Sequence, residues 1–223
     1  MPGYAIFRSA RHYTRRDDSV TVDTSLAIVL PVLNEEHELA PTVQTLLGFL
    51  AANLQEYDWH IVIADNGSTD ATQVICQKLS QDNQRVSFVR LEERGRGRAL
   101  KKAWIESDAA IVAYMDVDLS ASLDALPLLV RAIVHEGYDI AIGSRHTLGA
   151  HVVGRSPTRE FISRAYNLLV QTMFRIKLLD LQCGFKVLNL RTTRSVIDLV
   201  RDDIWFFDSE MLIIAEKSGY RIK

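Results

Sequence analysis

AAIVAYMDVDLS (residues 109–120) runs an unbroken apolar segment directly into two aspartates that are separated by one residue. Apolar runs without polar alternation predict a strand covered on both faces, as in parallel sheets. Asp116 and Asp118 stand at i and i+2, so their carboxylates point to the same side of an extended chain. Two like charges this close predict that a divalent cation lies between them. Mg²⁺ is typically bound by one or two carboxylates together with substrate phosphates. The alternative is two solvated acids in a loop after an edge strand.

Four further apolar runs occur on either side of this stretch, with helical patterns between them. The helical segments are predicted at about 36–53, 70–82, 96–107 and 122–136, and a longer one follows at 159–176. Strands that alternate with helices predict an α/β fold with a Rossmann-like, mostly parallel sheet flanked by helices. After residue 145 the pattern changes to helical and strand segments of less regular spacing. The runs are LAIVLPV (26–32), WHIVIAD (59–65), VSFVRL (86–91) and YDIAIGS (138–144).

Polar residues follow most of these predicted strands. Glu35, Asp65 and Asn66 follow the first two, as Asp116 and Asp118 follow the fourth. Ligands of open α/β sheets bind outside the carboxyl ends of the strands, so these loops predict one shared site.

The segment ERGRGRAL (93–100) begins a predicted helix with two glycines and three arginines. Backbone N–H groups at a helix N-terminus, with cations beside them, suit a phosphate or diphosphate. The alternative is a solvated basic helix start.

The composition limits the class of protein. A formal net charge of −2 over 223 residues argues against nucleic-acid binding. Cys76 and Cys183 form no disulfide framework, which fits a reducing compartment. With no transmembrane-length apolar segment and no secretory signal, the sequence predicts a cytoplasmic protein, and peripheral contact with the inner face of a membrane is left open.

Residues 1–24 are predicted to be a mobile basic arm, with Arg8, Arg11, Arg15 and Arg16 in a polar run. A flexible terminus and an arm attracted to anionic lipid are the two interpretations. Residues 25–223 are predicted to form a single domain. In the predicted helix 159–176, the apolar stripe packs on the sheet or on another subunit, or else meets a bilayer surface.

Six motifs occur in an order typical of one enzyme family: IVLPVLNEE (28–36), IADNGSTDAT (63–72), RGRGRAL (94–100), MDVDL (115–119), GSR (143–145) and DLQCGFKVL (180–188). On these motifs the chain resembles the family 2 glycosyltransferases with the GT-A fold. Within them it resembles the polyprenyl-phosphate hexosyltransferases, which include dolichyl-phosphate mannose synthase and dolichyl-phosphate β-glucosyltransferase. The resemblance extends from Leu26 to Tyr220.

The resemblance implies inverting, metal-dependent transfer of glucose or mannose from a UDP- or GDP-hexose to a polyprenyl or dolichyl phosphate at a membrane surface. The product would serve the synthesis of a cell-envelope glycan. The cofactor would be Mg²⁺ or Mn²⁺, since oxygen ligands suit both. The domain would divide into a nucleotide-sugar half (about 25–120) and an acceptor half (about 121–223). A homo-oligomer and a membrane-protein partner are both left open.

The resemblance also assigns roles by position. The implied nucleotide-sugar residues are Pro31, Leu33, Glu35, Asp65, Asn66, Gly95, Arg96 and Asp116, and the metal ligands are Asp116 and Asp118. The implied acceptor residues are Arg145, Arg159, Ser163, Gln182, Lys186 and Asp208, and Gly184 and Phe185 belong to the same segment closing over the sugar. The implied catalytic residues are Asp116, Asp118, Arg145 and Arg159.

Two departures from the family pattern leave alternatives open. Asn66 stands where a second aspartate is common, so uracil and guanine are both candidate bases, and Ser120 stands where mannose synthases can place a Gln. A hydroxyl acceptor would require a carboxylate base, for which Asp208 and Glu210 are candidates. The chain has no Gln-x-x-Arg-Trp motif, which argues against a polysaccharide synthase. The remaining alternative is a non-catalytic module that binds a nucleotide sugar.

Overall fold

One mixed sheet organises the computed structural model, which describes residues 25–143 and 157–223, without the side chains of residues 157–162 and 164. Its six strands are β1 (Ser25–Val32), β2 (Asp58–Asp65), β3 (Val86–Arg90), β4 (Ile111–Met115), β5 (Ile140–Ile142) and β6 (Phe185–Asn189). The helices of the described residues are α1 (Leu39–Asn53), α2 (Thr72–Asp82), α3 (Arg96–Ile105), α4 (Ala125–Val134), α5 (Pro157–Phe174), α6 (Leu190–Leu199) and α7 (Phe207–Lys217).

The strand order is β3-β2-β1-β4-β6-β5. The first four strands of that order are mutually parallel, as the alternating pattern predicted. The prediction of a mostly parallel sheet flanked by helices is therefore confirmed. β6 differs, because it lies antiparallel between β4 and β5. It comes from the C-terminal third of the chain but pairs with β4, so the two predicted halves of the domain share one sheet.

Continuous apolar strands bury side chains on both faces of this sheet. In β1, Leu26, Ile28 and Leu30 pack in one hydrophobic cluster with residues of α1, α2 and α4. Ala27 and Val29 point to the opposite face, where α3, α6 and α7 complete a second cluster. Both faces exclude water, which is why β1 has no polar alternation.

The predicted N-terminal arm (residues 1–24) and Arg145 lie outside the described residues. The domain boundaries stay a prediction. Among the described residues, no helix combines the length and the apolar character needed to cross a bilayer.

Candidate functional site

Asp116 follows β4 and is paired with a cation from the same chain. One guanidinium nitrogen of Arg96 donates to Asp116 Oδ1 at 2.7 Å, and the other terminal nitrogen donates to Asp208 Oδ2 at 2.9 Å. Arg96 is the first residue of α3, and Asp208 is the second residue of α7. The guanidinium therefore bridges two carboxylates that are far apart in the chain, one after β4 and one at the start of α7.

Asp118 lies in the exposed turn after Asp116. Its Oδ1 accepts the Ser120 N–H at 2.9 Å, and no ion pair of Asp118 is found among the described residues. Burial raises the pKa of Glu35, and the negative charges of Asp118 and Glu38 raise it further. Burial also raises the pKa of Asp116, with Arg96 opposing the rise. Negative charge is thus concentrated between the β1 and β4 ends, which favours a cation there.

A small pocket of about 50 Å³ opens beside Asp116. It is lined by Met115, Asp116, Leu119, Ser120, Ala121, Cys183 and Gly184. A Cβ atom at Gly184 would lie 1.8 Å from Asp116 Oδ2, so only glycine leaves room for the carboxylate. The described residues contain no cluster of three or more metal-ligating side chains. Asp116 at the pocket and Asp118 in the turn after it would therefore need further oxygen ligands from a bound molecule to complete a metal site.

Lys186 lies beneath the site. Its side chain is fully buried in β6, and its ammonium donates to Tyr114 Oη at 2.8 Å, Asp208 Oδ1 at 2.9 Å and the Cys183 carbonyl at 2.6 Å. The Tyr114 hydroxyl donates to the same Asp208 carboxylate. All three ammonium protons are used in this way. The charged groups of Lys186 and Asp208 bind each other inside the protein, and their contact with an acceptor stays a prediction.

The N-terminus of α3 differs from the predicted diphosphate cradle. The N–H of Gly97 donates to the Ile204 carbonyl at 3.3 Å, and the N–H of Arg98 donates to the Asp203 carbonyl at 3.0 Å. The N–H of Gly95 donates to Asn66 Oδ1 at 2.5 Å. The prediction that these amides are available to a phosphate is wrong, because the segment before α7 packs over them. The guanidinium of Arg96 is bound to Asp116 and Asp208, and its contact with a diphosphate stays a prediction.

The predicted base-binding turn after β2 is largely occupied by the protein itself. Asp65 is fully buried, forms an ion pair with Arg90 and accepts the Ser68 N–H at 2.9 Å. Asn66 is also buried, and its side-chain oxygen holds Gly95 as described above. Both residues therefore fix the shape of the turn. Pro31 and Leu33, at the end of β1, are partly exposed.

Hydrogen bonds between side chains and backbone join the loops that follow β1 and β2. The N–H of Asn34 donates to Ser68 Oγ at 2.9 Å, and the N–H of Glu35 donates to Thr72 Oγ1 at 2.8 Å. In return, Asn34 Oδ1 accepts the Thr69 N–H at 2.8 Å. Glu35 lies between β1 and α1, where these bonds hold its backbone. The two loops form one rigid wall of the site.

Replacing the buried Thr72 by Val is expected to lower the free energy of unfolding by about 1 kcal/mol, because the Glu35 N–H loses its acceptor while the shape is kept. Urea unfolding followed by circular dichroism measures the loss. Thr45→Val is the matched control, since Thr45 is exposed and its hydroxyl bonds only within α1. Equal stability of the two variants would contradict a structural role for this bond.

The remaining predicted site residues are only partly described. The side chain of Arg159 lies outside the description, although its backbone belongs to α5. Ser163 is half-buried and Gln182 is exposed. The described residues thus bring together Arg96, Asp116 and Asp208, while the predicted phosphate site of the acceptor stays a prediction.

Two aromatic residues at the site were missed by the sequence analysis. The guanidinium carbon of Arg96 lies 5.4 Å from the Tyr114 ring centroid and 5.9 Å from that of Trp205. Trp205 is 71% exposed, although Asp202 Oδ1 holds its loop by accepting the N–H groups of Ile204 and Phe206. For Trp205, the signal in the sequence was the aromatic run WFF before Asp208.

The comparisons with known proteins agree with one another. The family model Glycosyl transferase family 2 matches residues 27–196. Glycosyltransferase AglD of Haloferax volcanii is 35% identical over 88% of this chain and 32% of its own length. The dolichyl-phosphate β-glucosyltransferase of Drosophila melanogaster is 27% identical over 90% of this chain and 64% of its own length. The chain therefore spans less than two thirds of these relatives.

Solved structures show the same fold. Glucosyl-3-phosphoglycerate synthase of Mycobacterium tuberculosis, in complex with UDP, has a TM-score of 0.63 and 19% identity, covering 88% of this chain and 66% of that one. Mannosyltransferase PcManGT of Pyrobaculum calidifontis, in complex with GDP-Man and Mn²⁺, has a TM-score of 0.52 and 20% identity, covering 88% and 53%. These likenesses identify the GT-A fold.

Proposed function

Because the chain belongs to glycosyl transferase family 2, we propose that it transfers a hexose, glucose or mannose, from a UDP or GDP sugar to a polyprenyl phosphate with inversion at the anomeric carbon. The observation that carries this proposal is the position of Arg96, Asp116 and Asp118 at the carboxyl edge of the sheet. There the two carboxylates could hold a metal ion, and the ion and the cationic side chain could together bind a diphosphate. The acceptor class is supported by the dolichyl-phosphate β-glucosyltransferases among the relatives.

A divalent cation, Mg²⁺ or Mn²⁺, would be held by Asp116 and Asp118. The donor set fits, because Asp116 offers carboxylate oxygens at the pocket, Asp118 offers them in the exposed turn after it, and both metals accept phosphate oxygens as further ligands. PcManGT was solved with Mn²⁺ and a nucleotide sugar, which supports the same requirement here. When bound, the cation would stabilise the charge of the departing nucleoside diphosphate. The guanidinium of Arg96 would be a second positive charge beside the departing diphosphate.

The polyprenyl phosphate needs no protein base, because a phosphate monoester is largely ionised near neutral pH. Its oxygen would attack the anomeric carbon from the side opposite the diphosphate, with Arg145 and Arg159 orienting it. The carboxylates considered as bases for a hydroxyl acceptor are both engaged. Asp208 binds Arg96 and Lys186, and Glu210 accepts the N–H groups of Arg201 and Asp202. This arrangement favours the phosphate acceptor.

The lipid part of the acceptor would lie along a membrane surface. In α5, Leu168, Leu169 and Met173 are 62%, 59% and 66% exposed, while Tyr166 faces inward and bonds Ser209 of α7 at 2.8 Å. An exposed apolar stripe on a helix tied to the site supports the interfacial interpretation of α5. The protein would then work peripherally, at the cytoplasmic face of the membrane.

The test is a transfer assay with UDP-glucose, UDP-galactose, GDP-mannose and GDP-glucose, each with Mn²⁺ and with EDTA. The acceptors are a polyprenyl phosphate, the corresponding polyprenol and a free hexose. We expect one donor to give a β-linked sugar phosphate, identified by the coupling constant of its anomeric proton. Transfer only to a hydroxyl would establish the second interpretation. Donor binding without transfer to any of these acceptors would favour the non-catalytic one.

Gly184→Ala is expected to weaken metal-dependent nucleotide binding at least about tenfold, because the new methyl group must displace the Asp116 carboxylate. The stability should change little, since the overlap is with the end of a side chain that can rotate. Calorimetric titration of UDP and GDP with Mn²⁺ measures the binding. Gly48→Ala is the control, as a Cβ atom there meets nothing within 4 Å. Unchanged affinity in Gly184→Ala would remove Asp116 from the metal site.

A further inference from the structure

Arg96 occupies one oxygen of the carboxylate that the proposed metal ion requires. Its bond to Asp116 Oδ1 measures 2.7 Å, a charge-assisted contact, and its side chain is only 19% exposed. The aromatic rings of Tyr114 and Trp205 lie within 6 Å of the same guanidinium. In this state Asp116 already has its positive partner.

Arg96 bonds Oδ1 of Asp116, so a divalent ion that arrives without a nucleotide is left with Oδ2, the oxygen on the Gly184 side. An ion bound there lies beside a like charge, and it gains both oxygens of Asp116 only if Arg96 releases Oδ1. A nucleoside diphosphate removes that conflict, because its oxygens offer the guanidinium a new anionic partner. The metal ion alone has no such means of moving Arg96.

We propose that Arg96 is the resident counter-ion of Asp116, and that it yields Oδ1 to the metal ion only when a nucleoside diphosphate takes up the guanidinium. Metal and nucleotide then bind as a coupled pair, each weakly without the other. The proposal rests on the proposed function for the presence of a metal and a nucleotide. It adds a role for Arg96 before any chemistry begins.

Asp208 keeps one end of the Arg96 guanidinium in place during this exchange. It holds the other guanidinium nitrogen at 2.9 Å and is itself fixed by Lys186 and Tyr114 inside the protein. Arg96 can therefore release Asp116 by turning one end of its planar group while the other end stays bound. In this scheme Asp208 is a positioning residue that keeps Arg96 within reach of both partners.

The test measures Mn²⁺ binding by the loss of the free-ion signal in electron paramagnetic resonance, without nucleotide and with saturating UDP or GDP. In the unmodified protein, we expect the nucleotide to tighten Mn²⁺ binding at least about tenfold, and Mn²⁺ to tighten nucleotide binding by the same factor. In Arg96→Gln, Asp116 loses its counter-ion. We expect Mn²⁺ alone to bind about tenfold more tightly, and the nucleotide with Mn²⁺ to bind more weakly.

Arg98→Gln is the matched control, because Arg98 lies on the same helix but pairs with Glu93 and Asp203 instead. It should leave Mn²⁺ binding without nucleotide unchanged. Arg96→Lys keeps the charge but lacks the planar fork that joins Asp116 and Asp208, so its Mn²⁺ affinity should lie between those of the unmodified protein and Arg96→Gln. If Arg96→Gln fails to fold, the coupling in the unmodified protein and the Arg96→Lys result decide.

Three results would overturn the proposal: no coupling between Mn²⁺ and nucleotide, weaker Mn²⁺ binding without nucleotide in Arg96→Gln, or an equal gain in Arg98→Gln. Failure of the proposed function is distinguishable. Suppose that no acceptor is glycosylated, but Arg96→Gln binds Mn²⁺ alone more tightly and the nucleotide more weakly. The counter-ion role then stands and the transferase role falls. If transfer occurs but Arg96→Gln binds both Mn²⁺ and the nucleotide more weakly, the transferase role stands and the counter-ion role falls.

Discussion

Asp118→Asn is expected to lower hexose transfer by about 10²–10³-fold, because it removes one of two carboxylates available to the metal ion and so weakens the stabilisation of the leaving diphosphate. Asp118 suits this test because it is exposed and no ion pair of its carboxylate is found among the described residues. Its loss should therefore leave the fold unchanged. The rate of transfer at saturating donor, and the Mn²⁺ dependence of UDP and GDP binding, measure the effect.

Asp124→Asn is the control for this change. Asp124 is also exposed, lies six positions further on, and contacts Ser122 in its own turn. It should keep the activity and the metal dependence of the unmodified protein. A similar loss in both variants would mean that total negative charge, not a ligand at residue 118, governs the rate. Full activity of Asp118→Asn would exclude Asp118 as a metal ligand.

Lys186→Met is expected to destabilise the protein by about 3 kcal/mol, because it leaves the buried Asp208 and the Tyr114 hydroxyl without the ammonium that they bind. The remaining ion pair between Arg96 and Asp208 keeps the loss from being larger. Urea unfolding gives the free energy, and the transfer assay gives the acceptor KM. A stable variant with a raised acceptor KM would instead support the acceptor contact that the family resemblance implies.

Lys102→Met provides the matched control. Lys102 is a partly exposed lysine of α3 that pairs with Glu106 at 3.5 Å, and its loss should cost less than about 0.5 kcal/mol. The double variant Lys186→Met, Asp208→Asn should recover part of the stability lost by Lys186→Met, because the buried carboxylate that lost its ammonium partner is then neutral. Strict additivity of the two single changes would show that the two side chains do not interact.

Much of the fold could be predicted from local patterns. A strand covered on both faces is apolar along its length, so β1, β2 and β4 could be predicted from continuous apolar runs in the sequence. The helices could then be predicted in the segments between those runs. β6 was harder, because its five residues FKVLN include a lysine and do not read as a buried strand. Only its neighbours explain why that lysine is inside.

The candidate site was predictable where it depends on position at the sheet edge. Asp116 and Asp118 follow β4, and parallel strands bring their carboxyl ends together, so the acids and the turn after β2 had to lie near one another. The state of each residue was not predictable in the same way. The side chains of Asp65 and Asn66 are bound to Arg90, Ser68 and Gly95. The N–H groups at the start of α3 donate to the carbonyls of residues 203 and 204.

The sequence by itself determined the α/β architecture, the family and the acidic strand end, because each is encoded in residues that are close together in the chain. The tertiary structure decided which charges neutralise which. Arg96 meets Asp208 across 112 positions, and Tyr114 meets Lys186 across 72. Such pairs form only when the antiparallel β6 and the start of α7 pack against β4 and α3. Two charges pair when they are close in space, and the periodicity of the sequence does not predict which distant residues become close.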